Sequence, residues 1–137
     1  MSKFLKIGLI GLSLLFFSCN KDEKIDTLKI GELTEIELGK TFENSKFDLS
    51  LRVENISDSR CPIGAMCIWE GNASVEFNLT SKNKKHNFTL DTNRRPIFKN
   101  DTVIEGIKYQ LIDVLPYPDI NIDIEQVENV VKILVEK

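Results

Sequence analysis

The chain is poor in the residues that most active-site chemistry needs. Its 137 residues include one histidine, His86, one tryptophan, Trp69, and three cysteines. A single imidazole excludes histidine-rich metal centres, and no acidic or nucleophilic neighbour in sequence makes His86 a triad member. No glycine-rich phosphate loop, HExxH or GxSxG occurs, so a non-enzyme with no cofactor and no bound metal is expected. Proline and glycine number only 4 and 7, which excludes a low-complexity chain. The longest apolar stretch, Ile7 to Phe17, has 11 residues, about half of what a spanning helix requires. Basic residues do not outnumber acidic ones; the formal charge is −3, which argues against nucleic-acid binding.

What is present begins with a leader. Lys3 and Lys6 precede the apolar stretch, and Leu15-Phe16-Phe17-Ser18-Cys19 puts a small residue just before a cysteine. This resembles the lipobox of bacterial lipoproteins, which implies cleavage after Ser18 and a lipid on Cys19. The resulting organisation is a signal peptide at 1–18, a lipidated tether at 19–26 and one domain at 27–137. The mature chain of 119 residues then carries 16 basic and 21 acidic side chains. Such a length suits one domain. Lys21-Asp22-Glu23-Lys24 resembles the export signal of bacteroidete-type lipoproteins, which implies the outer membrane and exposure at the cell surface. The membrane would be the first partner, reached through the lipid anchor. With Cys19 acylated, Cys61 and Cys67 remain as one pair in an oxidising compartment, and a disulfide is expected.

From Thr27 onward the hydrophobic period is two. Phe47, Leu49, Leu51 and Val53 alternate with polar residues, as do Ala73, Val75, Phe77 and Leu79. Lys82 to Lys85 reads as a polar turn, followed by a return strand through Phe88 and Leu90. Ile107, Tyr109 and Leu111 start another strand that runs to Val114 and stops at Pro116-Tyr117-Pro118. Ile120, Ile122 and Ile124 read as a short strand, Val131 to Val135 as the last, and Leu28 to Leu38 as one or two opening strands. Seven or eight short strands predict an all-β fold, an antiparallel immunoglobulin-like β-sandwich or a small barrel. The inter-sheet cysteine pair of immunoglobulins is absent, because Cys61 and Cys67 are only six positions apart.

The most distinctive stretch is Asp58 to Gly71. Cys67 and Trp69 share a face of an extended chain, so Trp69 is placed to pack on the disulfide, and Gly71 permits a bend. Asp58 and Arg60 are spaced to pair at the loop entrance, where an exposed pair contributes little. Ser59-Arg60-Cys61-Pro62, four residues, Cys67, then x-Trp69-x-Gly71 resembles the motif of a family of small, mostly uncharacterised bacterial lipoproteins. Tyr109-Gln110-Leu111, Asp113 through Pro118 and the closing strand Val131 to Val135 resemble the second half of that family. Glu70 departs from the alanine common after the tryptophan. The resemblance implies a secreted, lipid-anchored β-domain and brings no activity with it.

Four readings of this loop follow. The disulfide and Trp69 pin a long connection to the core; or Pro62, Ile63, Gly64, Ala65 and Met66 form a preorganised recognition loop. A protease-inhibitor-like use of residues 62–66 is a variant of the second. The last is a soft-metal site on Cys61, Met66 and Cys67. Elsewhere, Asp119-x-Asn121-x-Asp123 opens like an EF-hand loop but lacks glycine at the sixth position and glutamate at the twelfth. His86 among lysines reads as solvated, and Arg94-Arg95 with Lys99 as a wet basic patch. Asp26-Thr27-Leu28 and Asp101-Thr102-Val103 match a short O-glycosylation pattern, with Thr102 expected in a loop. The expected role is a lipid-anchored envelope protein acting as a non-catalytic binding or accessory module, with an envelope protein or glycan as partner. The contrasting expectations are an inhibitor and a purely structural envelope lipoprotein.

Overall fold

The computed structural model describes residues 26–123 and 127–137; the leader, Cys19 and Ile124 lie outside the described residues. The described chain is all-β, with nine strands in two sheets. In chain order they are β1 (Asp26–Thr27), β2 (Leu33–Glu37), β3 (Thr41–Asn44), β4 (Leu49–Asp58), β5 (Ala73–Ser81), β6 (Lys84–Asp91), β7 (Asp101–Ile104), β8 (Ile107–Leu115) and β9 (Val130–Glu136). The first sheet is ordered β1-β3-β4-β5-β6 and the second β2-β9-β8-β7, so the fold is a β-sandwich rather than a closed barrel. All pairings are antiparallel except β1 with β3. Asp26 already pairs with Phe42, so the ladder begins one residue before the expected domain boundary.

The period-two pattern is what builds the core. Leu49, Leu51, Val53, Val75, Phe77, Leu79 and Leu90 fill the inner face of the first sheet, and Ile107, Tyr109, Leu111, Val131, Ile133 and Val135 that of the second. Phe77 stacks on Phe88 at 5.2 Å, and Phe88 meets Tyr109 at 5.6 Å, joining the two layers. Two bulges interrupt the alternation, at Glu54 in β4 and at Ile112 in β8, and both lie short of the same end of the sandwich. The β5–β6 turn is tighter than expected: Lys82 and Asn83, both with positive φ, form it alone, and β6 restarts at Lys84.

Three expectations are corrected. Ile120 and Ile122 form no strand; Asp119 makes a single parallel bridge to Ile63, and both isoleucines are exposed. Thr102 lies in β7 opposite Tyr109 and is half-buried, not in a loop, whereas Thr27 is exposed on the edge strand β1. His86 is half-buried on β6, with Nε2 shielded from solvent 3.8 Å from the Glu105 carboxylate. That gap is too long for a hydrogen bond. Glu105 instead accepts one from the Ser81 hydroxyl at 2.8 Å, which holds its carboxyl below the ordinary value.

Candidate functional site

Strands β4, β6 and β8 all run toward one end of the sandwich, so the connections 59–72 and 92–100 and the described residues 116–123 gather there. The β4–β5 connection continues its own hairpin. The pairing of Asp58 with Ala73 continues without a shift beyond the strands: Ser59 N–H donates to Asn72 O at 2.8 Å, and Cys61 N–H to Glu70 O at 2.9 Å. The hairpin therefore outgrows the sheet, and residues 62–69 are its tip. Cys61 and Cys67 are joined, with Cα atoms 5.9 Å apart, which ties both sulfurs into the disulfide and away from any soft metal. Gly71 (φ 79°) could be no other residue without strain, because a Cβ there would strike the Ser59–Arg60 backbone.

Arg60 is the residue that fixes this end. Its side chain is only 5% exposed. Nε donates to both Asp58 carboxylate oxygens, at 2.9 and 3.1 Å, and Nη1 to Asp113 Oδ1 at 3.1 Å. Nη2 donates to Asp58 Oδ2, to Val114 O at 2.8 Å and to Pro116 O at 3.3 Å, while the Tyr117 ring lies 4.5 Å from the guanidinium. The Asp58–Arg60 pair anticipated from sequence thus forms, but as a buried tie between the hairpin and the end of β8 rather than an exposed contact. The planar fork suits this geometry in a way that a lysine could not. The signal in the sequence was weak: Arg60 had to be connected to Asp113, 53 positions away.

A second tie joins the hairpin to the 92–100 loop. Buried Asn72 donates to Ser74 Oγ and Asp91 Oδ1, and accepts from the Asn93 backbone N–H. Asn93 in turn donates to Gly71 O and to Glu70 Oε1, and Arg95 pairs with Glu70 at 3.0 Å. Burial acts to raise the Asp91 carboxyl, but the hydrogen bonds from Ser74, Asn72 and Lys99 outweigh it and leave the pKa lowered.

The tip itself is turned outward. Met66 and Ile68 are fully exposed and Ile63 more than half exposed. Trp69 is 50% exposed and belongs to no part of the core, so the pinning role expected of it is not seen. Ile63 is nonetheless held: its N–H donates to Pro118 O at 2.8 Å and its carbonyl accepts from Ile120 N–H at 3.2 Å. A Cβ on Gly64 would press into Ile120, so the tip lies close against the 116–123 segment.

Two hollows flank Tyr117. One, of about 540 Å³, is lined by Arg60, Glu70, Asn93, Arg94, Arg95 and Tyr117. The other, of about 500 Å³, is apolar and includes Ile63, Leu115, Pro116, Ile122 and Val127. In the first hollow Glu70 pairs with Arg95 at 3.0 Å and Asp113 with Arg60 at 3.1 Å. Among the described residues, no group of three or more His, Cys, Asp or Glu could hold a metal ion. Asp119 accepts hydrogen bonds from the Asn121 backbone and side chain, which closes the EF-hand-like start into a local turn. No family model, curated protein or solved structure matches the chain.

Proposed function

We propose that this is a lipid-anchored outer-membrane protein, held by Cys19, that works as a non-catalytic binding module through the loop end of its sandwich. The observation that carries the reading is the outward display of Met66 and Ile68 on a tip that the disulfide, Arg60 and the Ile63–Pro118 bond hold in place. Exposing large apolar side chains costs solubility, and a rigid mount lowers the ordering cost of contact. A purely structural lipoprotein would gain nothing from such a display. The inhibitor-like alternative is less well supported. Ile63, the second of residues 62–66, has both backbone groups engaged within the domain and cannot pair with a protease.

The test is retention of envelope components by the immobilised mature protein, compared with Met66→Asp/Ile68→Asp and with Cys61→Ser/Cys67→Ser. Retention should be lost in the first variant, whose changes lie in solvent and leave the fold intact by circular dichroism. It should weaken in the second. Equal retention by all three forms, or by none, would remove the reading and leave a structural lipoprotein.

A further inference from the structure

We infer that the hairpin tip inserts into the surface of the bilayer that carries the anchor, so that the protein stands on its membrane at two points. The inference rests on acylation of Cys19 and names the membrane lipid itself as what the tip contacts.

β1 is parallel to β3, and β3 is antiparallel to β4, which runs toward the tip; the chain therefore enters β1 from the loop-end side. Asp26 pairs with Phe42, and Phe42 with Leu51, so Asp26 sits level with Leu51. From Leu51 to the rung at Cys61 the hairpin climbs roughly 30 Å, and the tip rises beyond it. The seven steps from Cys19 to Asp26 span about 25 Å at full extension. Even a taut tether reaching toward the loop end therefore falls short of the tip by at least about 5 Å. Segments lying in the membrane interface reach roughly 5–10 Å into it.

The order of side chains along the hairpin matches that depth. Met66 and Ile68 in the tip are fully exposed, Trp69 beside them in the chain is half-exposed, and Glu70, paired with Arg95, closes the last rung with exposed Arg94 beside it. Apolar, then aromatic, then charged is the sequence of preferences from hydrocarbon through the interface to headgroups.

Trp69 is the chain's one tryptophan, so its fluorescence reports the tip alone. The acylated mature protein would be reconstituted in phosphatidylethanolamine–phosphatidylglycerol vesicles, with and without lipids brominated on their acyl chains. Bromolipid should quench Trp69 severalfold, and Met66→Asp/Ile68→Asp should abolish quenching while the acylated variant still floats with the vesicles. Unquenched Trp69 in vesicle-bound wild-type protein overturns the inference and leaves the anchor standing. So does a blue shift seen only when an envelope protein is added, which would make that protein the partner. A mature chain whose mass lacks the lipid, and which does not float, overturns the anchor and the inference together.

Discussion

Arg60 joins the hairpin to the end of β8, and its truncation would leave Asp58 with only the residue-60 backbone N–H and take the guanidinium from the Val114 carbonyl. Breaking one partner out of a buried ion pair typically costs about 3–5 kcal/mol. Arg60→Ala should therefore lower the unfolding free energy by about 3 kcal/mol in urea titration, and Arg60→Lys should recover little of it. A loss below about 1 kcal/mol would show that the guanidinium is not the tie it looks to be. Gly71 makes a similar demand through backbone shape. Gly71→Ala combines positive φ with a collision against Ser59 and Arg60, and should cost more than about 2 kcal/mol. Gly106→Ala in the β7–β8 turn shares the φ of 79° but meets open space, so about 1 kcal/mol is expected. Equal costs would mean that strain alone matters.

At the scale of elements, alternation made the long strands legible, and bulges hid what lay at their ends. Leu49 to Val53 and Ile107 to Leu111 follow period two, so their inner faces could be read directly. Past Glu54 and Ile112 the parity shifts, and the pattern no longer says which side chains face inward. Strands β1, β3 and β7 have two to four residues, too few for any period, and exist because a neighbour supplies the ladder. Ile120 and Ile122 misled for the opposite reason: they alternate, yet no sheet edge is there to receive them. The disulfide was legible from cysteine count; the outward tip was not, because exposure is a property of the assembled end. The disulfide closes a ring at this tip, and the loop-entropy relation gives about 2 kcal/mol for one so small. Reduction should lower global stability by roughly that amount. It should also speed amide exchange at Cys61 and Ala65 far more than at Phe77, and uniform acceleration would contradict a local role for the ring.

For the molecule as a whole, pH acts through lowered carboxyls and one raised phenol. Asp91 has a depressed carboxyl pKa in the folded state, so its contribution is present above the unfolded value and lost as acid titrates it. Asp91→Asn should flatten the fall in melting temperature below about pH 4. Tyr109 behaves inversely. Burial, with a smaller push from Glu105, raises its phenol to about 12. The folded state keeps that proton where the unfolded chain releases it, so stability is lost as pH climbs from about 10 toward 12. Tyr109→Phe should remove this alkaline loss. It should cost little near neutrality, because the buried hydroxyl has no hydrogen-bond partner. A variant that melts much lower at pH 7 would refute that reading.

The unshifted ladder from Asp58–Ala73 to Cys61–Glu70 separates two parts of the chain that can change independently. Below the last rung, every residue is bound to the alternation that fills the core. Above it, residues 62–69 are tied to the body by the Cys61–Cys67 disulfide, the Ile63 bonds and the packing of Gly64 on Ile120. The segment is thus an exchangeable cassette. A loop of different composition that keeps Cys67 could be grafted between Cys61 and Glu70 without moving a single inward-facing side chain, letting one scaffold carry many tips.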